Sequence, residues 1–342
     1  MPPAVPQAKG GLTHYPAPPA EGAPPADPET VERILSDWFE RPVVLLGSGR
    51  AGLSLYLRAL GLGRYRDRIA VPPYLSACVT DVLNRHAFPV HGTGGEATLL
   101  YHQYGLPQVF RPEGPVLEDI CHRFFETAAT GARDWIGEAA VFSLPKFLGI
   151  AGMGGGLVVK NDRLARQIRT YRDEAEAELP GMRDWMRTVV SATYRDPSAS
   201  PLAPLLEPAY ALLTRYPRPD GADLAGFPEG PSGLAGIGER RSRVAGRLLS
   251  ALPDGAMPGP VRAALEGGIP FAFPFFGSGD TDWLRDRDTA LAEAGIHAGV
   301  YNVDVRMDMG RPDYRPCILV PCHQDVDEAG LDAIVGILGR QG

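Results

Sequence analysis

A short apolar segment, a glycine turn and a helix start follow one another near residue 43, and they constrain the fold more than any other feature. Val43–Leu46 is apolar throughout, Gly47–Gly49 consists of small residues, and a helix is predicted from about Arg50 to Leu62. This order is typical of a strand and helix in an α/β sheet. The backbone N–H groups at such a turn also form a natural site for a phosphate group.

A second apolar segment and a lysine mark candidate reactive positions. Val116–Glu118 is predicted as a strand that ends at Asp119, and parallel sheets place reactive groups at such strand ends. Lys146 follows another predicted strand, Ala139–Phe142, and it is one of only three lysines in the chain, with Lys9 and Lys160. Lysine can be deprotonated and can form imines, whereas arginine is not used in this way. Lys146 is therefore the leading candidate for amine chemistry.

Length and charge limit the class of protein. The 342 residues are 44% hydrophobic, which is enough for one large domain and a smaller one. The net charge of −7 and the pI near 5.6 argue against a partner that is a nucleic acid or a membrane surface. No segment is apolar over a membrane-spanning length, and no secretory signal is visible, so we expect a cytoplasmic protein.

The four cysteines do not form a recognisable framework of disulfides or metal ligands. They are Cys78, Cys121, Cys317 and Cys322, and none forms a C-x-x-C pair. We expect reduced thiols. Two Cys-His pairs, at 121–122 and 322–323, lack the usual spacing of a zinc site, which makes zinc an unfavoured alternative.

The order of the remaining elements predicts three parts. Residues 1–27 are rich in proline and alanine, which predicts a flexible arm; residues 28–233 form the large domain, and 234–342 a linking helix and a small domain. Further predicted elements are a first helix from Pro28, strands Ile69–Val71, Phe88–Val90, Leu99–Tyr101 and Leu157–Lys160, and helices near Trp185–Val190 and over Pro201–Tyr216. In the small domain they are a long helix from Pro231, strand Pro270–Phe276, helix Trp283–Ala294, a loop over Tyr301–Arg315, strand Cys317–Val320 and helix Glu328–Leu338.

Several segments, in order from Val43 to the C-terminus, resemble the DegT/DnrJ/StrS-type aminotransferases, which are fold-type I enzymes that depend on pyridoxal 5′-phosphate (PLP). These segments are Ser48–Ala51, Val71–Tyr74, Tyr101–Pro107, Glu118–His122, Ser143–Lys146 and Val320–Gln324. The resemblance implies a mixed, mostly parallel seven-stranded sheet between helices, with a smaller α+β C-terminal domain. It also implies a homodimer, an amino donor such as L-glutamate, and a keto acceptor such as a nucleotide-linked keto-sugar.

The resemblance also implies roles for individual residues. Lys146 would bind PLP through a Schiff base and act as the catalytic acid and base. Asp119 would pair with the pyridine nitrogen, and His122 would hydrogen-bond the phenolic oxygen of the ring. The phosphate would be held by residues at two turns: Gly49, Arg50, Ala51 and Ser143.

The sequence departs from the family pattern at three places. No stacking aromatic is evident at Leu75–Ala77, although Tyr74 is a substitute; His91–Ala97 is shorter than the usual excursion; and no Asn-Tyr-Arg segment occurs between Glu174 and Pro231. Two alternatives therefore stay open, a different PLP reaction such as dehydration or elimination, and a non-catalytic regulatory relative. Relatives that dehydrate sugars tend to have histidine instead of the lysine, so Lys146 favours transamination.

Overall fold

The computed structural model describes residues 11–125, 136–174, 185, 189, 205, 218–253, 255–277 and 280–339. The helices that we predicted near Trp185–Val190 and over Pro201–Tyr216 lie largely outside these residues. In the part that is described, the chain forms a large sheet and a small sheet, each with helices packed against it. No helix there is long and apolar enough to cross a membrane.

The large sheet has seven strands in the order β1-β7-β6-β5-β4-β2-β3. Only β7 runs against its neighbours, and the other strands are parallel, which confirms the predicted fold class. The parallel strands therefore have their carboxyl ends at one edge of the sheet. The strands are β1 (Val43–Leu46), β2 (Arg68–Val71), β3 (Phe88–His91), β4 (Ala97–Tyr101), β5 (Val116–Asp119), β6 (Ala139–Ser143) and β7 (Gly155–Val159).

Helices cover both faces of this sheet because successive strand residues point to opposite faces. Val43 and Leu45 pack in one apolar cluster with α1, whereas Val44 and Leu46 pack in another with α2, α3 and α4. This explains why β1 is apolar at every position. The helices are α1 (Pro28–Phe39), α2 (Gly49–Ala59), α3 (Ala77–His86) and α4 (Asp162–Glu174).

The small sheet has three antiparallel strands in the order β8-β10-β9. They are β8 (Ala272–Phe275), β9 (Gly299–Asp304) and β10 (Tyr314–Pro321), and the surrounding helices are α5 (Pro231–Ser250), α6 (Gly259–Leu265), α7 (Thr281–Glu293) and α8 (Glu328–Leu338). The prediction of a loop over Tyr301–Arg315 was wrong at both ends. Tyr301 pairs with Cys317 in β9 and β10, and the exposed polar residues of β9 concealed the strand.

The predicted flexible arm also needs correction for residues 11–27. Leu12 forms a parallel bridge with Ile296, its N–H donates to Gly295 O over 2.9 Å, and its carbonyl accepts from His297 N over 2.8 Å. Further along, Ala17 N donates to an Asp325 carboxylate oxygen over 2.8 Å. A proline-rich composition predicts little self-structure, but this segment obtains its hydrogen bonds from the small domain.

Candidate active site

A cavity of about 600 Å³ lies at the carboxyl ends of β1, β5 and β6. The N-terminal arm and the small sheet close its other side, with Tyr15 and Phe271 among the lining residues. A cavity of this size is typical of a site for a small molecule or a cofactor. Six of the seven predicted site residues line it: Gly49, Arg50, Asp119, His122, Ser143 and Lys146.

Lys146 is held by a tight turn after β6. Leu144 donates to Gly154 O over 3.1 Å, and Phe147 N and Leu148 N both donate back to Leu144 O. The partly buried Lys146 side chain enters the cavity, where its Nζ lies 2.8 Å from His122 Nε2 and 5.7 Å from the centroid of the Phe271 ring. The amine is thus positioned by the turn after β6, by its contact with His122 and by the nearby Phe271 ring.

His122 is held in one orientation and one protonation state. Its Nδ1 accepts the Tyr104 N–H over 3.2 Å, and the Phe271 ring stacks on the imidazole with centroids 4.7 Å apart. Burial first, then the neighbouring Lys146 and His14, lower the pKa of His122 well below its ordinary value. Because a neutral ring whose Nδ1 accepts must carry its proton on Nε2, His122 directs an N–H toward the Lys146 nitrogen.

The contact between Tyr104 and His122 depends on an unusual backbone turn after β4. Tyr104 has φ 55°, in the left-handed region that non-glycine residues seldom adopt. Its carbonyl accepts from Phe271 N over 3.1 Å, and its ring stacks on His122 with centroids 5.5 Å apart. The turn therefore joins the small domain to the imidazole beside Lys146. Backbone strain of this kind is often found at functional sites.

Asp119 presents a buried carboxylate to the cavity at the end of β5. It is 4% exposed, and its Oδ1 accepts from Cys121 N over 2.9 Å. The preceding Glu118 points to the opposite face, where it accepts from Gly137 N over 2.7 Å and lies 3.2 Å from His102 Nε2. Strand alternation thus gives the two adjacent carboxylates different environments.

The start of α2 fits an anion. The first N–H groups of a helix have no partner within the helix, and the helix dipole favours negative charge there. Ser48 caps this helix by accepting from Ala51 N over 3.1 Å. Ala51 donates its N–H to this cap and is only 1% exposed, so it does not line the cavity as predicted. Ser48, which was not among the predicted site residues, does line it.

Two glycines allow the chain to approach this anion site closely. A Cβ atom on Gly49 would lie 2.9 Å from Cys121 Sγ and 3.1 Å from Phe142 O. A Cβ atom on Gly155 would lie 2.6 Å from Phe142 O and 2.7 Å from Gly49 N. Ser143, paired with Gly155 in the sheet, borders the same space. Strand β7, which carries Gly155, therefore lies directly against the start of α2.

Other lining residues were not found from the sequence. Tyr104 and Phe271 have no local signal, because their contacts with His122 form only in the folded chain. Cys78 is another: burial raises the pKa of its thiol, but the Arg50 charge and hydrogen bonds from Ser76 and Arg50 outweigh burial and lower it. Ser76 Oγ lies 3.0 Å from Cys78 Sγ.

Tyr74, suggested as a substitute for the stacking aromatic, lies at the cavity edge. It is 41% exposed, and its ring centroid is 5.7 Å from that of Tyr314. Across the described residues, no group of three or more His, Cys, Asp or Glu side chains is arranged to hold a metal ion.

Comparisons with known proteins agree on the class. Residues 34–180 match the family model PLP_IMCC1989, described as "Putative PLP-dependent aminotransferase". Among functionally curated proteins, none matches the sequence.

Solved structures share the fold at low sequence identity. A DegT DnrJ EryC1 StrS aminotransferase from Brucella abortus is 18% identical, with a TM-score of 0.63 and coverage of 94% of this chain and 92% of that one. The "Putative sugar aminotransferase Spr1654" from Streptococcus pneumoniae is 15% identical, with a TM-score of 0.64 and coverage of 93% and 91%. NtdA from Bacillus subtilis, solved with bound cofactor PMP, is 16% identical, with a TM-score of 0.63 and coverage of 93% and 78%.

Residues 34–180 are thus similar to a family of PLP-dependent aminotransferases, and the fold is that of solved aminotransferases, a class whose cofactor is PLP. Structures of DegT/DnrJ/EryC1/StrS aminotransferases share this fold, in agreement with the resemblance found in the sequence. The matched segment includes every predicted site residue.

Proposed function

We propose that this protein transfers an amino group from an amino acid, L-glutamate, to a keto acceptor of the nucleotide-linked keto-sugar class. The observation that carries the proposal is the position of the Lys146 amine, 2.8 Å from His122 Nε2, in one cavity with the Asp119 carboxylate and the start of α2. An amine, a carboxylate and an anion site fit the three polar ends of PLP. The relative from Streptococcus pneumoniae supports a sugar as the acceptor.

The anion site would hold the phosphate of PLP. Gly49 and Arg50 at the start of α2, with Ser48 and Ser143 beside them, supply N–H groups, hydroxyls and a positive charge. Asp119 would hold the pyridine nitrogen, because a buried carboxylate favours the protonated form of a nitrogen beside it. When bound, PLP supplies an electron sink for the substrate carbon.

Lys146 would move the proton in this reaction. A general base must be able to accept a proton within hydrogen-bond reach of the reacting atom. The His122 Nε2–H points at the Lys146 nitrogen and so favours an amine with an available lone pair. His122 would thus position Lys146, while the Phe271 ring excludes water from one side of the amine.

An absorbance spectrum of the PLP-loaded protein tests this function. We expect a visible band that shifts to the pyridoxamine form on addition of L-glutamate, and Lys146→Ala should lose both the band and the shift. Lys160→Ala is the matched control, since Lys160 forms an exposed ion pair with Glu138 and should behave like the wild type. A band that no amino donor changes would favour a different PLP reaction. No band after incubation with PLP would overturn the cofactor assignment and favour a non-catalytic relative.

Two further expectations from the sequence analysis stay predictions. One is a homodimer, and the other is a cytoplasmic location. Sedimentation of the PLP-loaded protein would test the first, with a twofold mass expected.

A further inference from the structure

The N-terminal arm forms one wall of the cavity. Leu12 is hydrogen-bonded to the small domain through both its N–H and its carbonyl. The next three residues, Thr13 to Tyr15, line the cavity. Thr13 O accepts from His323 Nε2 over 2.8 Å, and His323 is 2% exposed. A buried hydrogen bond therefore fixes the backbone directly beside His14.

His14 lies in the same compartment as the Lys146 amine. Its ring centroid is 6.1 Å from that of Phe271, which stacks on His122 and lies 5.7 Å from Lys146 Nζ. His14 is also one of the groups whose charge would lower the pKa of His122. A molecule that fills the cavity next to Lys146 would thus meet the His14 ring.

Both ring nitrogens of His14 are buried, and neither has a hydrogen-bond partner among the described residues. Three other buried histidines contrast with His14, because both of their ring nitrogens form hydrogen bonds. They are His102, His122 and His323. A buried polar group without a partner is costly, so each one requires an explanation. A partner that comes and goes, such as a substrate, provides one.

The protonation state of His14 defines the chemistry of that partner. Burial first, then His323 and His297, lower the pKa of His14 to about 4. The ring is therefore neutral near pH 7, with one N–H donor and one acceptor nitrogen. A carboxylate, a phosphate or a keto oxygen accepts only, and would leave the acceptor nitrogen without a partner. A hydroxyl group both donates and accepts, and neighbouring hydroxyl groups can satisfy both nitrogens.

We propose that His14 is a substrate-binding residue that hydrogen-bonds hydroxyl groups of the substrate whose carbon reacts beside Lys146. This inference rests on the proposed function and deepens it, because it assigns recognition of a hydroxylated acceptor to the arm. The amino-acid donor L-glutamate has no hydroxyl group, so the residue distinguishes the two half-reactions.

The experiment compares two amino donors on PLP-loaded protein. One is L-glutamate, and the other is a pair of nucleotide-linked aminosugars, UDP- and dTDP-linked 4-amino-4,6-dideoxyglucose, which react in the reverse direction. His14→Phe keeps a ring of similar size and removes both nitrogens, whereas His14→Gln keeps one donor and one acceptor. His91→Phe is the matched control, since His91 is exposed at the end of β3. Thermal unfolding confirms that each variant is folded.

We expect His14→Phe to lower kcat/KM for the aminosugar about 10- to 100-fold, which is the usual cost of lost hydrogen bonds to a substrate hydroxyl. The L-glutamate reaction should change less than about threefold, and His14→Gln should restore most of the aminosugar rate. An equal loss with both donors, no change with either, or a His14→Gln variant as slow as His14→Phe would each overturn the inference.

Calorimetry separates this inference from the proposed function. The aminosugars are titrated into the wild type and into His14→Phe, and we expect binding to weaken about 10-fold in the variant. If L-glutamate reacts but the wild type neither binds nor converts the aminosugars, the inference fails together with the proposed sugar acceptor, and the glutamate half-reaction of the proposed function stands. If no amino donor reacts, the proposed function fails, and the difference in binding between the two proteins decides the role of His14.

Discussion

The cavity is built from two groups of residues that reach it in different ways. The strand-end group lies at the carboxyl ends of strands of the large sheet or within a few residues of them, and consists of Ser48–Arg50, Asp119, His122 and Lys146. The arm group, Thr13–Tyr15 with Phe271 and His297, comes from the N-terminal arm and the small domain. Both groups line one cavity, and under the proposed function the strand-end group would carry out the chemistry while the arm group would select the substrate.

The hydrogen bonds of the two groups span very different distances along the chain. In the strand-end group, Ser48 caps Ala51 three residues on, and Asp119 accepts from Cys121 two residues on. In the arm group, Thr13 bonds to His323 across 310 residues. Hydrogen bonds that span at most 24 residues hold the strand-end group, with the Phe271 ring stacked on His122, whereas the folded small domain holds the arm group. Substitutions in the strand-end group should therefore impair both half-reactions, while those in the arm group act on one substrate or on docking of the arm.

Asp119→Asn should have the largest effect, because it changes the strand-end group without changing its shape. The amide keeps an oxygen that accepts from Cys121 N but removes the charge that would hold a protonated pyridine nitrogen. We expect both half-reactions to slow by about 100-fold, the usual scale for a lost charge at the reacting centre. Stopped-flow absorbance with each donor measures this.

The control for Asp119→Asn is Glu118→Gln, which alters the adjacent carboxylate on the opposite face of the sheet. It should reduce stability more than it reduces the rate. If Asp119→Asn slowed only one half-reaction, or slowed neither by more than threefold, the distinction between the two groups would fail.

Below neutral pH, the free energy of unfolding should fall mainly because buried histidines take up protons when the chain unfolds. One of them is His323, which attaches the arm. Burial first, then Arg241, lower the pKa of His323 to about 3, against the opposing effect of its bond to Thr13. In the unfolded chain, His323 has a pKa near 6.5 and binds a proton more readily than in the folded protein. Its contribution to the free energy of unfolding is therefore complete above about pH 6.5 and is lost as the pH falls toward 3. Between pH 7.5 and 5.5, His323 alone should cost about 1 kcal/mol of unfolding free energy.

Urea unfolding at several pH values measures this cost. His323→Gln keeps a donor for Thr13 O but cannot titrate, so its stability should fall less steeply than that of the wild type over this range. A variant with the same slope as the wild type would show that His323 does not take up a proton on unfolding as expected. His91→Gln, with His91 exposed at the end of β3, provides a control on the large domain.

The position of the strand-end group in the fold could be predicted from the sequence, because its signals are local. An apolar strand followed by small residues and a helix start is visible around Ser48, and an apolar strand that ends in acidic residues is visible at Asp119. The position of the parallel strands then follows from the fold class, and places both turns at one edge of the sheet. Ala51 is the one predicted site residue that does not line the cavity, because its N–H donates to the Ser48 hydroxyl that caps the helix.

The arm group could not be predicted, since nothing near His14 in the sequence indicates its neighbours. Residues 11–17 are held by Gly295, His297 and Asp325, whose positions depend on the small domain. The strand that contributes Tyr301 to the cavity is itself half exposed and polar, and it was predicted as a loop. Contacts between distant segments leave no periodic pattern, so composition alone suggested a flexible arm.

The smallest expected effect concerns the exposed end of the arm attachment. Ala17 N donates to Asp325 over 2.8 Å, but this bond is exposed, in contrast to the buried bond of Thr13. Exposed polar contacts contribute little because water competes for both partners. Asp325→Ala should therefore cost only about 0.5 kcal/mol, equivalent to roughly a twofold increase in cleavage of the arm by a protease. A loss above about 1 kcal/mol would show that the arm depends on its exposed contact. Because the Asp325 carboxylate lies 3.8 Å from His323 Nδ1, a loss of that size would mean that the exposed and the buried attachments of the arm stabilise each other.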